Sequence, residues 1–527
     1  MMPMFIQRRL IQRRLSVLAV VLLSWLSMFC LGAGLTACSQ SPAVEPGERA
    51  VESSKLKEEE DWKVIYIQDQ RIGYEHRQRR MEDQSGKKVI HTQNDSYLKF
   101  KRFGQALNLE VHLQTTETAE GELLSYSYQM KNPPAGSTIS RGVVKDGQLH
   151  IETDIANQAS NTQLKWKADY YSPSYLERAF RESPLQPGEK KSFSMLLPEF
   201  SKITEVNLVA LEYEPVEIPG GIQEKCLHIK MKQSLLPGMT TDLYVDQQGE
   251  IIKSATDFLG AKMYLYQASK AQALEELSGR ELDLAMQTLI PVSPLSAAHD
   301  TEQVVYQISM QQDDPAKYLV AGDTQQVKRL GADRVELTVT KAAVPVAFPA
   351  AEIDAEFVKP SPFLQSSDAG VIKHAKAAVQ SETNPWQQAL LMEKYVHRNL
   401  KKKNFSTALA SAAEVARNME GDCTEHAMLL AAMLRAQNLP ARVAVGLVYI
   451  PSRKSFGGHM WTEVFLDNRW IPLDATLGKG GIGAGHIKLG DSSLAEKAPA
   501  PLALFLPVIQ SVGKLSIEVR DSRPRAE

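Results

Sequence analysis

From residue 62 onward, apolar and polar residues alternate in short runs, the period of a half-buried strand. Val64-Ile65-Tyr66-Ile67 opens the series. Val143-Val144-Lys145 and Gln148-Leu149-His150-Ile151 flank Asp146-Gly147, a pair that tolerates the positive φ of a tight hairpin turn. Leu243-Tyr244-Val245 and Glu250-Ile251-Ile252 flank Asp246-Gln247-Gln248-Gly249 in the same manner. Pro187-Gly188, Pro219-Gly220-Gly221 and Pro237-Gly238 punctuate further strands. One short helix is expected near residues 173–180. Cys226 lies in the alternating run Lys225-Cys226-Leu227-His228-Ile229 and reads as a small packed residue. No catalytic constellation is visible across this region.

The period then changes. Residues 271–289 read as a helix ending at Pro291, and residues 304–309 and 334–340 as strands of a small β unit. After Pro349 the helical period dominates. Residues 368–381 form one candidate helix. Asn384-Pro385-Trp386 starts another, with Pro in the first turn, where a missing N–H costs little, and with Leu390, Leu391, Tyr395 and Val396 on one face. Asp422 is a good N-cap for a third, an apolar helix over residues 427–434, because its carboxylate accepts from the first free N–H groups.

The ends of the chain add a different signal. Arg8, Arg9, Arg13 and Arg14 precede an apolar run over residues 15–37, and Leu35-Thr36-Ala37-Cys38 closes it. This resembles a bacterial lipoprotein signal, which implies lipidation at Cys38; an uncleaved N-terminal anchor is the alternative. Either way the basic end stays inside and the body of the protein is exported to the cell envelope. Residues 39–60 are polar and read as a flexible tether, with an irregular loop on the first domain as the alternative. The expected organisation is a signal over 1–38, the tether over 39–60 and a β-rich domain over 61–290. A small β connector over 291–350, a mixed helix-and-strand core over 351–490 and a C-terminal extension over 491–527 follow.

Composition narrows the function. The chain has 527 residues, enough for several domains, and a net charge of −2 at pH 7, so no basic field attracts nucleic acid. Of its four cysteines, Cys30 and Cys38 fall in the leader, leaving Cys226 and Cys423 in the exported body, too few for a disulfide framework. A Cys226–Cys423 bridge would silence Cys423.

Cys423 falls in the first turn of its helix, where the positive end of the dipole favours the thiolate. His459-Met460-Trp461-Thr462-Glu463-Val464-Phe465-Leu466 alternates as a strand. Arg469-Trp470-Ile471-Pro472-Leu473-Asp474 is its expected partner across Asp467-Asn468, with Pro472 implying an edge position. In that register Leu466 faces Arg469 and Trp461 faces Asp474. His459 and Asp474 become diagonal neighbours on one face, roughly 7 Å apart between backbones. A thiolate nucleophile, an imidazole base and a carboxylate that orients it form a set suited to acyl transfer. His426, three residues after Cys423, is a rival base without a carboxylate to orient it. Gly478-Lys479-Gly480-Gly481-Ile482-Gly483 matches G-x-G-x-x-G, but an extended run follows instead of a helix, which excludes dinucleotide binding. A loop beside the active site is the better reading. Residues 502–508 form an apolar stretch that reads as a helix docked on the core.

Gly421-Asp422-Cys423, Leu439-Pro440-Ala441-Arg442-Val443, His459-Met460-Trp461-Thr462-Glu463-Val464 and Trp470-Ile471-Pro472-Leu473-Asp474-Ala475-Thr476 together resemble the transglutaminase core of the transglutaminase-like superfamily, in its bacterial branch. The resemblance covers about residues 361–486. It implies an α+β fold, with a papain-like core whose Cys-bearing helix packs on an antiparallel sheet, preceded by the large β-rich region. It also implies Cys423, His459 and Asp474 as catalytic triad. Asn404 is a candidate oxyanion donor, and Trp461 and Glu463 are candidate walls or braces of the site. No metal or cofactor is implied. The expected activity is cysteine-dependent cleavage or transfer at amide bonds of a protein or peptide, with hydrolysis favoured over cross-linking. A non-catalytic envelope scaffold carrying a vestigial core is the competing expectation.

Overall fold

The computed structural model describes residues 58–523, apart from residues 85, 103, 132–136, 156–157, 220, 222, 237–238, 259, 278–281, 312, 347–352, 401–409 and 496–503. The leader, Cys38 and Asn404 therefore lie outside the described residues. The chain is α+β, with sheets that are antiparallel except where Tyr170–Tyr171 pairs parallel with Lys190–Leu197, and with its main helices gathered in the C-terminal core.

The β-rich region forms one 15-stranded sheet. Two meanders run outward from its middle, where the strand Glu58–Ile67 pairs antiparallel with Ala261–Ala268. Both expected hairpins form. Asp146 and Gly147 take φ of 51° and 69°, the left-handed pair that a tight two-residue turn needs. The acidic run Glu58-Glu59-Glu60 is strand and not tether. Opposite it stand basic groups: Glu59 pairs with Arg79 of the next strand and with Arg181 of the helix Tyr175–Glu182, and Glu60 pairs with His76.

One face of the sheet is apolar at one end, around Ile65, Ile67, Leu98 and Phe100, and ionic at the other. There Arg77 bonds Asp61, and Lys63 lies 3.5 Å from Glu75, all four buried. Burial pushes the Glu75 carboxyl up to about 7 despite those cations. The opposite face carries cross-strand ring pairs, Tyr74 on Tyr97 at 4.9 Å and His228 on Tyr244 at 4.8 Å. Cys226 packs with Val216 and Ile252, and neither it nor Cys423 is in a disulfide.

The expected helix over 271–289 is instead two short pieces, Lys270–Leu274 and Leu284–Gln287. The first has a capping box at Ser269, but Glu275 turns extended, with ψ of 140°, and ends it. The chain then enters the core as the short strand Ile290–Pro291, which pairs with Phe456 and Ser455.

The core has two layers. Its sheet is centred on Ser455–Leu466. Ala441–Ile450 lies along one edge of that strand, and Ile290–Pro291 and Arg469–Leu473 share the other. His486–Ser492 completes the sheet beyond Ala441–Ile450. The second layer is helical. Cys423–Ala436 is buried from Cys423 to Arg435, as a helix must be when apolar on every side. It lies between the sheet and the helices Ala369–Val379, Pro385–Asn399 and Ala412–Asn418. The buried face of Pro385–Asn399 is Trp386, Ala389, Met392, Glu393 and Val396. Leu390 and Tyr395 are only half-buried and Leu391 is exposed, so the face lies off the expected one, and a carboxylate sits in it.

A four-stranded sheet covers the core sheet. It contains Gln303–Met310, Gln325–Arg329 and Arg334–Thr340, and it is completed by Leu515–Arg523 from the end of the chain. Tyr306 Oη donates to the Ala484 carbonyl at 2.7 Å. The Gln325 side chain both donates to and accepts from the Lys488 backbone, at 2.9 Å each. The C-terminal helix is short, Leu506–Ser511, with Val508 and Ile509 buried against the core. Among the described residues no helix is long and apolar enough to cross a membrane.

Candidate active site

Asp422 caps the Cys423–Ala436 helix as expected. Its carboxylate accepts from Thr424 N at 3.0 Å, and Glu425 reaches back to accept from Asp422 N at 2.9 Å, closing a capping box. Burial, with Asp422 beside it, pushes the Glu425 carboxyl up. Gly421 has φ of +143°, and a Cβ there would meet the Glu425 side chain at 2.3 Å. Only glycine lets Glu425 close the box, and the box holds Cys423 in the first turn. The rival base His426 commits its Nδ1 to the Asp422 carbonyl of its own helix, donating at 2.5 Å.

Two contacts fix the direction in which this helix crosses the sheet. Near its C-terminal end, Arg435 donates to the Ala441 carbonyl at 2.8 and 3.0 Å, and Ala441 is paired with Val464. Two turns earlier, Ala427 O accepts from Thr462 Oγ1 at 2.9 Å. Moving from Arg435 to Ala427 therefore moves from Val464 toward Thr462. Continued, the same direction leads to Cys423 on the helix and to His459 on the strand, placing both at one end of the helix–strand pair.

The hairpin has the expected register. Leu466 pairs with Arg469 and Thr462 with Leu473, around Asp467 and Asn468 at φ of 55° and 56°. Asp474 follows directly. His459 Nε2 donates to Asp474 Oδ2 at 2.9 Å, and both residues are fully buried. The other ring nitrogen, Nδ1, is buried without a hydrogen-bond partner. Asp474 Oδ1 accepts from Thr476 N at 2.8 Å. Burial alone would raise the Asp474 carboxyl, but His459 and His486 outweigh it and hold Asp474 well below the usual carboxylate range.

Two residues that sequence reasoning did not assign complete this site. His486, first residue of the strand His486–Ser492, donates from Nε2 to the same Asp474 Oδ2 at 3.1 Å. Glu393 accepts from the backbone N–H of Asp474 at 3.0 Å. Its signal in the sequence was a carboxylate at core-facing spacing between Ala389 and Val396. His486 had no signal beyond opening an extended run.

His459, Asp474 and His486 present donor atoms within 4.8 Å of one another, and so could also ligate a metal. Those atoms already hydrogen-bond to each other. A metal at a bond length of about 2.1 Å would have to break both contacts.

Trp461 lies 6.3 Å from the His459 ring and 5.4 Å from that of His486, packed with Ala444 and Ile482. It walls the His–Asp pair. Glu463 is a brace: it pairs with Arg442 and Lys488, each at 2.7 Å, tying three strands together. A narrow cleft is lined by Trp461, Pro472, Ile482 and His486 of the core and by Gln325 and Val339 of the covering sheet.

A cysteine at a helix tip, packed on an antiparallel sheet that presents a His–Asp pair, defines a papain-like fold. Residues 372–475 match the core of the transglutaminase-like superfamily, so this part of the chain is a transglutaminase-like domain. The matched span contains Cys423, His459 and Asp474 and stops before His486. Among solved structures, the chain is similar to a protein described as a candidate cysteine protease from Cytophaga hutchinsonii. The identity is 17%, over 44% of this chain and 88% of that one, with a TM-score of 0.27. A candidate protease from Parabacteroides distasonis is 10% identical over 67% of this chain and 64% of that one, with a TM-score of 0.19. A β-barrel-like protein from Brucella abortus, a domain of unknown function, is 8% identical over 41% and 96%, with a TM-score of 0.29. Likenesses this weak define neither activity nor substrate. No curated protein matches the chain.

Proposed function

We propose that the protein is a cysteine-dependent acyl-transfer enzyme of the cell envelope, acting on amide bonds of a protein or peptide. Cys423 is the nucleophile, His459 the base and Asp474 the orienting carboxylate. The observation that carries this reading is the division of labour on the His459 ring. Nε2 is committed to Asp474, which fixes the tautomer, and Nδ1 is left buried without a hydrogen bond. A neutral ring bonded in this way has a lone pair on Nδ1. That nitrogen takes the Cys423 proton, and the resulting imidazolium is stabilised by the carboxylate behind it.

The sulfur attacks the amide carbonyl. The amine leaves with a proton returned by His459, and a thioester remains on Cys423. Water attacking that thioester regenerates the thiol and releases an acid, and hydrolysis of this kind is the favoured outcome. A lysine amine in place of water would form a cross-link by the same route. The lipoprotein-type leader supports export and attachment to a membrane through a lipid on Cys38.

The test is mass spectrometry of envelope peptides incubated with the wild-type protein and with Cys423→Ala. New termini, deamidation or isopeptide masses that require Cys423 support the reading and name its branch. Peptide maps identical for the two proteins, together with a Cys423 that alkylates only as its pH approaches the ordinary thiol value of about 8.5, overturn it.

A further inference from the structure

We propose that Glu393 is a positioning residue for the catalytic aspartate: its carboxyl gathers the backbone of the glycine-rich loop and thereby sets where Asp474 meets His459. This inference rests on the acyl-transfer reading for its importance, but not for its geometry.

Glu393 comes from the buried face of the Pro385–Asn399 helix, where an apolar side chain would be the ordinary occupant. Its Oε1 accepts from Asp474 N at 3.0 Å and from Gly481 N at 3.4 Å. One oxygen thus clamps both ends of the segment 474–481. One helical turn further on, His397 Nδ1 donates to the Ala475 carbonyl at 3.1 Å. The helix therefore holds the loop by a donor and an acceptor at i and i+4. The glycines make this possible. Gly478, Gly480 and Gly481 have φ of 61°, 76° and 108°, and a Cβ on Gly478 would lie 2.4 Å from the His397 ring. The G-x-G-x-x-G pattern, rejected as a nucleotide motif, is here a loop that folds its N–H groups onto one buried acid.

The second oxygen, Oε2, is buried with no hydrogen-bond partner. Leaving a buried oxygen idle is costly, and a charged one far more so. The charged group beside Glu393 is Asp474, which is bonded in turn by His459 and His486. Burial, with the Asp474 charge, pushes Glu393 up to about 8, which favours the protonated acid over the carboxylate. As a neutral acid it accepts from the loop through Oε1 without placing a second negative charge beside Asp474.

The experiment compares Glu393→Gln, which keeps an acceptor oxygen and no charge, with Glu393→Met, which keeps the volume and removes the acceptor. Two readouts are taken at matched folded fraction: acylation of Cys423 by p-nitrophenyl acetate, and the downfield proton resonance of the His459 Nε2–H bonded to Asp474. The expected result for Glu393→Met is kcat lower by about a hundredfold with KM within about twofold, and a shifted or lost His459 resonance. Glu393→Gln is expected to stay within about threefold of wild type with the resonance in place. Should Glu393→Met not fold, Glu393→Asp, one methylene too short to reach the loop, takes its place with the same expectation. A folded Met or Asp variant with an unmoved resonance overturns the proposal, as does a Gln variant that falls as far as Met. A wild-type thiol inert to the ester removes the acyl-transfer reading instead, and the resonance still decides the role of Glu393.

Discussion

Thr462 Oγ1 donates to the carbonyl of Ala427 across 2.9 Å, joining the strand that carries His459 to the helix that begins at Cys423. Both residues are buried, and Ala427 lies one turn from the sulfur. Thr462→Val keeps the shape and removes the donor. It is expected to cost about 1 kcal/mol of stability and to slow Cys423 alkylation measurably, by loosening the helix against the strand. Denaturant unfolding and iodoacetamide kinetics on the same samples check both effects. A variant that loses stability with unchanged alkylation would show the tie to be structural alone.

Asp474→Asn keeps the size of the side chain and removes its charge. Both imidazoles lose their anionic acceptor, and the tautomer of His459 is no longer fixed. Turnover is expected to fall by about 10³–10⁴-fold, measured as ester hydrolysis at saturating substrate. The same change affects acid stability. The folded carboxyl lies below its unfolded value, so its contribution is full above the unfolded pKa and is lost as pH falls through the folded one. The Asn variant should therefore show a smaller loss of stability than the wild type below about pH 4.

Glu393 has the opposite sign. Its folded value is raised to about 8, above that of the unfolded chain, so the native state holds the proton more tightly. Stability from this group is complete below the unfolded value and declines as pH rises through the folded one. Glu393→Gln has no proton to lose. Its melting temperature relative to wild type is expected to climb between about pH 4.5 and pH 8 and then level off. A difference that stays flat over that range would mean that Glu393 is ionised throughout.

Arg435 is a buried guanidinium bonded to main-chain carbonyls: Ala441 twice, Lys359 at 3.0 Å and Ser493 at 2.7 Å. Burial lowers it to about 10, and it remains charged at neutral pH. Arg435→Met leaves those three carbonyls without their donor and is expected to destabilise the core by about 3–5 kcal/mol. A chemical-denaturation series with a local fluorescence probe near Trp470 would register it.

Gly478→Ala forces a side chain into the left-handed region and onto His397. Either the loop or the helix must give way. Ester turnover is expected to fall by about tenfold or more, with most of the melting temperature retained, because the strain falls on the Asp474 loop and not on the sheet.

The part of the site that was legible in the sequence is the part encoded by local rules. Asp422 before Cys423 is a cap signal, and Asp467-Asn468 between two alternating runs fixes the parity that puts His459 and Asp474 on one face. The strands 303–310 and 334–340 were legible for the same reason. Glu393 and His486 were not, because each reaches Asp474 from a separate element through tertiary packing. The acidic residues 58–60 looked like a tether because their partners, Arg79, Arg181 and His76, are supplied by other strands and a helix. The helix read over 271–289 failed at Glu275, where one extended residue ended the run that periodicity alone would have continued.

The covering sheet has its own consequence for the order of events in biosynthesis. Gln303–Met310 holds Arg334–Thr340 on one side and Leu515–Arg523 on the other, so the second neighbour leaves the ribosome roughly two hundred residues after the first. Until then that strand has an open edge, and a product truncated just before Leu515 would keep Cys423, His459 and Asp474 yet present a sticky β edge to its neighbours.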